Sequence, residues 1–400
     1  MCGGRIAVVG GSIAGCAAAL AAHRSGAGRI TVYERASGRL ADRGVGLAVH
    51  NDRYAELESH GFVTDSMPWL QLDRRGWYVR DGSSPMGRRI GTLPFPFRTY
   101  NWGPLWRELR ARVPESVRFR TGTAVTRLHL APEHVEVTTS GDECERFDLV
   151  VGADGYRSVV RAAAWPDVRP EYAGYLAWRG AFPVERLPDA DRWPVRECAY
   201  AVFPGGHAVV YRIPDGHGGH RVNWVLYALP PTDHRLPLDS PTSIPPGALT
   251  AALREHVLEI ADAHLPPFWA RLAGLTPPGE MFVQPMYDFT APRYATGRLV
   301  LIGDAATVAR PHTGGGAVKA LQDATALEAA LTTAPDRAAA LSAYDAERAA
   351  AGRGMVGLGR SLGHGLVRSG PDWSAMDQRG LENWWRRADG ASAFGGRQLR

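Results

Sequence analysis

"IAVVGGSIAGCAAALAAHRSGAGRITVYER", residues 6–35, decides the fold. Ile6-Ala7-Val8-Val9 is a short apolar run, Gly10-Gly11-Ser12-Ile13-Ala14-Gly15 is a tight turn, and Cys16 to His23 is alanine-rich and helical in character, followed by the β-rich "ITVYE". Strand, glycine turn, helix and second strand make a βαβ unit, with an acid, Glu34, closing the second strand. Such a unit aims backbone N–H groups and the positive end of a helix at a pyrophosphate, while the strand-end acid accepts hydrogen bonds from a ribose diol. Gly10 and Gly15 hold the first and third glycine positions of GxGxxG. Ser12 stands at the second, so the closest backbone approach must tolerate a Cβ, and its hydroxyl can donate to a phosphate oxygen. A carboxylate about 20 residues after the turn completes the dinucleotide fingerprint. Glu34 would repel a 2′-phosphate, which favours an unphosphorylated ribose. The motif itself serves NAD and FAD alike.

The chain has 400 residues, 45% hydrophobic and 22% charged. That length exceeds one comfortable core, so two domains are expected. No apolar run reaches about 18 residues, so no membrane span is expected. The first apolar segment is the opening strand and not a signal peptide, which predicts a cytoplasmic protein. Cys2, Cys16, Cys144 and Cys198 are scattered and form no CxxC, which argues against a zinc site or a redox pair. The net charge of +5 comes from dispersed arginines, not a basic patch, so nucleic acid is not an expected partner. His217, His220 and His234 lack metal-ligand spacing, and no metal is predicted.

Outward from the first unit, "GWYVRDGSSPMGRRIGTLPFPF" reads as a hairpin turning at Asp81-Gly82. "WGPLWRELRARV" has helical spacing, with Leu105 and Leu109 on one face. Residues from about 172 to 290 are aromatic-rich, turn-punctuated strands and suggest an inserted sheet that serves as a substrate platform. From about residue 317 the pattern is helical, and the last 30 residues have weak periodicity and are expected to fray in part.

Two further junctions carry chemistry. "DLVVGADGYRSVVR", residues 148–161, is a buried strand ending at Asp154-Gly155 with Ser158 and Arg161 at helical spacing. "RLVLIGDAATVARPHTGGGAVKALQDA", residues 298–324, is another buried strand, ending at Gly303-Asp304. Its following loop holds Pro311 and His312, then Gly314, Gly315 and Gly316 at a helix start, which again presents free N–H groups to an anion. Asp304 can accept from a sugar or ribitol hydroxyl.

With these three ordered motifs the chain resembles the flavoprotein aromatic hydroxylases of the para-hydroxybenzoate hydroxylase fold over nearly its whole length. "YNWGPLWRELR", "RVNWVLY" and "GDAATVARPHTGGGAVKALQDA" look most similar to the 2,6-dihydroxypyridine 3-monooxygenase branch. The resemblance implies an α/β fold: an FAD-binding Rossmann-like domain of the glutathione reductase type, an inserted β-sheet substrate domain, and C-terminal helices. The expected division is residues 1–70, 97–171 and 283–350 for FAD, 71–96 and 172–282 for the substrate sheet, and 351–400 for the helical segment. Gly10, Ser12, Ile13 and Gly15 would hold the pyrophosphate, with Glu34 and Arg35 at the adenosine ribose and Val125 near the adenine. Asp154 would sit near the pyrophosphate, Asp304 would bind the ribitol chain, and Pro311 to Gly316 would line the isoalloxazine ring. Many relatives carry a phosphate-binding arginine where this chain has Trp102; Arg43 or Arg107 is the expected substitute.

The implied activity is hydroxylation of a small electron-rich aromatic or N-heterocyclic compound by a flavin C4a-hydroperoxide, with O2 and with NADH or NADPH as a transient electron donor, in a monomer or homodimer. Epoxidation, Baeyer–Villiger oxygenation, or a non-catalytic flavin-binding role are the alternatives. A base or acceptor near the ring would help ionise a phenol. His312 is the catalytic candidate, and Tyr211, Asn223 and Pro311 are the expected substrate contacts. His207, beside Gly205-Gly206, reads as an exposed turn residue, and Trp178 and Trp224 read as core.

Overall fold

In this computed structural model, residues 3–38, 46–231, 244–245, 248–390 and 393–396 are described. The opening βαβ unit is the centre of a six-stranded sheet. Its strands run in the order Ala295–Thr296, Leu299–Leu301, Leu149–Gly152, Arg5–Val9, Arg29–Tyr33 and Arg118–Arg120. All neighbours are parallel except the first pair. Parallel strands covered on both faces need continuous apolar runs, which is what Ile6 to Val9, Leu149 to Val151 and Leu299 to Leu301 supply; all are buried.

Helix Ile13–Arg24 packs on helix Gly316–Thr333. Every residue from Ile13 to Ala22 is buried, and the alanine run is what lets a helix be enclosed on all sides without overpacking. Gly15 is required for its approach to the turn, since a Cβ there would lie 1.9 Å from the Gly10 carbonyl oxygen.

A nine-stranded sheet stands beside this layer. Its backbone is the antiparallel set Met281–Thr290, Glu171–Pro183, His220–Ala228, Gly206–Pro214 and Glu197–Phe203, extended by the hairpin Leu70–Val79 and Arg88–Asn101. The hairpin turns through Asp81-Gly82 as expected, and Gly82 has φ +51°. Short strands Gly46–His50 and Thr307–Val308 close its two edges, so the sheet draws on chain from both ends of the sequence. Trp178 and Trp224 are core residues of this sheet.

Within the aromatic-rich region the structure adds two helices that strand patterning did not reveal, Ala251–His264 and Pro267–Leu275. The first buries Leu253, Val257 and Ala261, an i, i+4, i+8 stripe, against the back of the sheet. Helix Arg337–Gly363 runs from the nucleotide layer, where Leu341 and Tyr344 are buried, to the nine-stranded sheet, where Leu358 and Leu362 are buried.

Residues 371–390 of the C-terminal stretch, expected to fray in part, are ordered, while residues 391–392 and 397–400 lie outside the described residues. Helix Gln378–Ala388 packs on the sheet through Leu381, and Trp385 lies face-on to the Arg75 guanidinium at 3.4 Å from the ring centroid. The helix is amphipathic, with Leu381, Trp384, Trp385 and Ala388 toward the sheet and Glu382, Arg386 and Arg387 exposed, so the weak periodicity expected of the last 30 residues does not hold for this segment. Among the described residues no helix is long and apolar enough to cross a membrane.

Candidate active site and cofactor cleft

The three sequence motifs meet at one edge of the parallel sheet. Val9 pairs with Gly152, and Gly152 with Leu301, so the turns after these strands emerge side by side. Ala153 N–H donates to the Val9 carbonyl and Ile302 N–H to the Gly152 carbonyl, which carries the alignment one residue beyond the ladder. This is the carboxyl edge, where open α/β sheets bind ligands.

The first turn opens into a cleft of about 300 Å³. Gly10, Ser12, Glu34, Arg35, Val125 and Asp154 all line it, whereas Ile13 and Gly15 lie behind it in the helix. Gly10 has φ +101°, and a Cβ would meet the Ala153 carbonyl oxygen at 2.3 Å, so only glycine fits. Ser12 is the N-cap residue, yet its side chain makes no cap hydrogen bond and stays available to the cleft. Glu34 accepts from Gly11 N–H and Ala36 N–H, each at 2.8 Å, which fixes the carboxylate at the strand end.

Asp154 accepts from Val159 N–H at 2.7 Å through one oxygen, while its other oxygen is buried with no close hydrogen-bond partner among the described residues. Burial raises its carboxyl above the usual range despite those donors. A buried acceptor of this kind is costly unless something outside the chain donates to it. Trp102 lines the same cleft and stacks parallel to Trp106, whose indole N–H holds the Gly11 carbonyl at 2.9 Å. Among the described residues the cations lining this cleft are Arg35 and Arg157. Arg107 is not among the lining residues and points to solvent, and Arg43 lies outside the described residues.

The second and third turns open into a larger cavity of about 490 Å³. The turn at Asp154 links the two spaces: Asp154, Gly155 and Arg157 face the smaller one and Tyr156 the larger. Asp304 projects into the larger cavity, where the surrounding protein raises its carboxyl above the usual range. Its turn is fixed from below. Asp323 accepts from Gly303 N–H at 2.9 Å, from Lys319 Nζ at 2.6 Å and from Arg348 Nε at 2.7 Å, all buried. Burial opposes all three charges, but their mutual attraction outweighs it, so Asp323 is held below and Lys319 above the ordinary ranges.

Pro311, His312, Gly314, Gly315 and Gly316 line the cavity opposite the sheet. Helix Gly316–Thr333 begins there without a side-chain cap, leaving its first N–H groups directed at the space. A Cβ at Gly316 would meet nothing within 4 Å, so the glycine start is an open cradle. These features fit a flavin dinucleotide: an uncapped helix start at each end, an unpaired acceptor midway, and two spaces that adjoin at the Asp154–Arg157 turn.

The opposite wall comes from the nine-stranded sheet with the alternation of one strand face. His207, Val209 and Tyr211 line it from one strand, Cys198 and Tyr200 from the next, and Val225 and Tyr227 from a third. His207 is therefore not an exposed turn residue. The turn is only Pro204-Gly205, and His207 is fully buried, stacked between Tyr200 and Tyr227. Its ring nitrogens are buried, and the polar group nearest them is the Leu366 backbone. Burial pushes His207 down to about 3, and burial with the nearby His207, Arg310 and Arg179 holds His312 well below its ordinary value, so both rings are neutral.

Tyr211 and Asn223 are cross-strand partners on one face. The Tyr211 hydroxyl donates to the Gly46 carbonyl at 2.9 Å and Asn223 accepts from Gly46 N–H at 3.0 Å, so together they clamp the edge strand. Tyr211 still lines the cavity; Asn223 does not. Arg179, Tyr227 and His207 were missed as site residues, although two steps of two residues back from Tyr211 along its strand, through Val209, reach His207.

Known proteins with this architecture carry the same cofactor. The sequence model of an FAD binding domain family matches residues 255–358, and one described as FAD binding domain-like matches residues 172–288. The 2,6-dihydroxypyridine 3-monooxygenase of Paenarthrobacter nicotinovorans is 29% identical over 380 residues, 92% of each chain. The 3-amino-4-hydroxybenzoate 2-monooxygenase of Streptomyces cremeus is 31% identical over 340 residues, 83% of this chain and 79% of its own. The chain belongs to the FAD-dependent aromatic monooxygenases. A solved structure of 2,6-dihydroxypyridine-3-hydroxylase from Arthrobacter nicotinovorans superposes on this monooxygenase with a TM-score of 0.81 at 27% identity, covering 94% of this chain and 96% of that one. In this monooxygenase the cavity wall is aromatic and mostly uncharged, with Arg179 and Asp304 as its charged lining groups.

Proposed function

We propose that the protein hydroxylates a small electron-rich aromatic or N-heterocyclic ring, using FAD, O2 and NADH or NADPH, in the cytoplasm. The observation that carries this reading is the meeting of three strand-end turns on one sheet edge, opening past Tyr156 into the aromatic-lined cavity. Glu34 would accept from the adenosine ribose, and Ser12 with the helix N–H groups behind it would bind phosphate. Asp154 would take a donor on its free oxygen, Asp304 would hold the ribitol hydroxyls, and the Gly314 to Gly316 helix start would face the flavin ring. FAD supplies the hydride acceptance and O2 activation that no side chain can.

The chain's own residues do the remaining work. The helix N–H groups at Gly316 stabilise negative charge that develops beside them. Tyr200, Tyr227 and Phe95 stack on an aromatic ring and exclude water. His207 and His312 stay neutral and offer hydrogen bonds, and Arg179 supplies the positive charge that favours an oxygen anion on the ring. The 2,6-dihydroxypyridine and aminohydroxybenzoate relatives act on rings of this kind, which supports the class.

Anaerobic mixing of the flavoprotein with NADH or NADPH, with and without hydroxypyridines and aminohydroxybenzoates, tests the reading. Bleaching of the visible flavin absorbance accelerated by one ring class is expected. Reduction by neither donor with any ring would contradict it.

A further inference from the structure

Tyr175 is fully buried on strand Glu171–Pro183, and its hydroxyl lies 2.7 Å from His312 Nε2. A phenol and a neutral imidazole can share that contact in two ways. Either Tyr175 donates to Nε2 and the imidazole proton sits on Nδ1, or Nε2–H donates to the phenol and Nδ1 is a bare acceptor. The second arrangement leaves the buried Tyr175 proton in need of another acceptor, and among the described residues none takes it. The charged neighbour, Arg310, only donates. Its Nη1 and the Tyr175 hydroxyl face one gap beside Gly363, where a Cβ would lie 3.0 Å and 2.5 Å from them. The Asp288 carboxylate is already engaged by Arg310 Nε at 2.7 Å and by Arg360.

We propose that Tyr175 is a positioning residue: by donating to Nε2 it fixes His312 as the Nδ1–H tautomer, so that the nitrogen that could take a proton is occupied and His312, beside the cavity, is not a base. His312 Nδ1 is buried, without a partner among the described residues, on a ring that lines the cavity. The groups around the imidazole are His207, Tyr227, Arg179 and Arg310, none of them an acid that would favour a second proton. Gly363 is the sequence device that admits the Tyr175 and Arg310 pair. The functional consequence rests on the monooxygenase reading: with Nε2 held by Tyr175, any phenolic proton of the substrate leaves by a route other than His312.

Long-range proton–nitrogen spectra of the FAD-loaded protein, selectively labelled with 15N-histidine and free of substrate, read the tautomer directly. The His312 signals, identified by their loss in His312→Gln, are expected to show a protonated Nδ1 and a bare Nε2, unchanged from about pH 6 to about pH 8. Tyr175→Phe should move them toward the Nε2–H form and raise KM about tenfold with a smaller change in kcat, the effect of one lost hydrogen bond. Gly363→Ala, which displaces the hydroxyl without removing it, should shift the tautomer in the same direction. An Nε2–H signal in the wild type, or a spectrum unmoved by Tyr175→Phe in a folded protein, would overturn the proposal. If no ring stimulates nicotinamide oxidation, the monooxygenase reading fails while the tautomer is still decided by the spectrum.

Discussion

The two joined spaces are built from different materials. The smaller cleft is made of backbone: glycines at Gly10 and Gly15 that no other residue can replace, a serine that leaves its hydroxyl free, and an acid pinned by two N–H groups. The larger cavity is walled mostly by side chains, contributed by residues as far apart as Leu47 and Phe394. A nucleotide is a constant ligand and suits a fixed backbone mould. A substrate differs between relatives, and a wall of exchangeable side chains on a rigid sheet lets it differ without disturbing the cofactor end.

That contrast can be broken at its shared foundation. Asp323→Ala would strand the Lys319 and Arg348 charges in the core and release the Gly303 turn. It should cost about 3–5 kcal/mol of stability, read from urea midpoints, and impair both spaces together. The same carboxylate sets an acid limit. Its folded-state value lies below the unfolded one, so its contribution is present above the ordinary carboxylate range and is lost as pH falls through the depressed value.

Gly10→Ala should separate the two spaces. A Cβ placed 2.3 Å from the Ala153 carbonyl, on a backbone at φ +101°, should cost about 2–3 kcal/mol and weaken FAD binding roughly a hundredfold in a fluorescence titration. His207→Phe should act only on the other side. His207 stays neutral in the folded protein down to about 3 while the unfolded chain protonates near its ordinary value, so the unfolded state takes up the proton first. Stability is therefore full above the unfolded value and declines as pH drops toward the folded one. The wild type should lose roughly 2 kcal/mol more than His207→Phe between about pH 7 and about pH 5. Arg179→Gln is the mildest change: about a tenfold rise in KM for an anionic ring, roughly 1.4 kcal/mol, with FAD affinity unchanged.

The same division explains what could be read in the sequence. Gly10, Ser12, Glu34, Asp154 and Asp304 are local signals, because each lies at a strand end whose turn dictates its residue type. The parallel sheet followed from its unbroken apolar runs. The cavity wall was harder, since Tyr211 and Asn223 share a strand face with His207 but only the fold shows that Gly46 takes up the Asn223 amide and the Tyr211 hydroxyl. The closing helix at Gln378–Ala388 carries an amphipathic pattern and an Asp377 cap that the sequence reading passed over, but its docking partner was illegible, because Trp385 packs on Arg75, some three hundred residues earlier.

A crystal structure of the FAD complex decides whether the strand-end turns hold one coenzyme. The adenosine should lie by Glu34, the phosphates by Ser12 and Asp154, the ribitol by Asp304, and the flavin ring between Pro311 and Gly316 with its edge toward His207. An adenosine bound away from Glu34, or a flavin ring that does not border the cavity of His207 and His312, would contradict it.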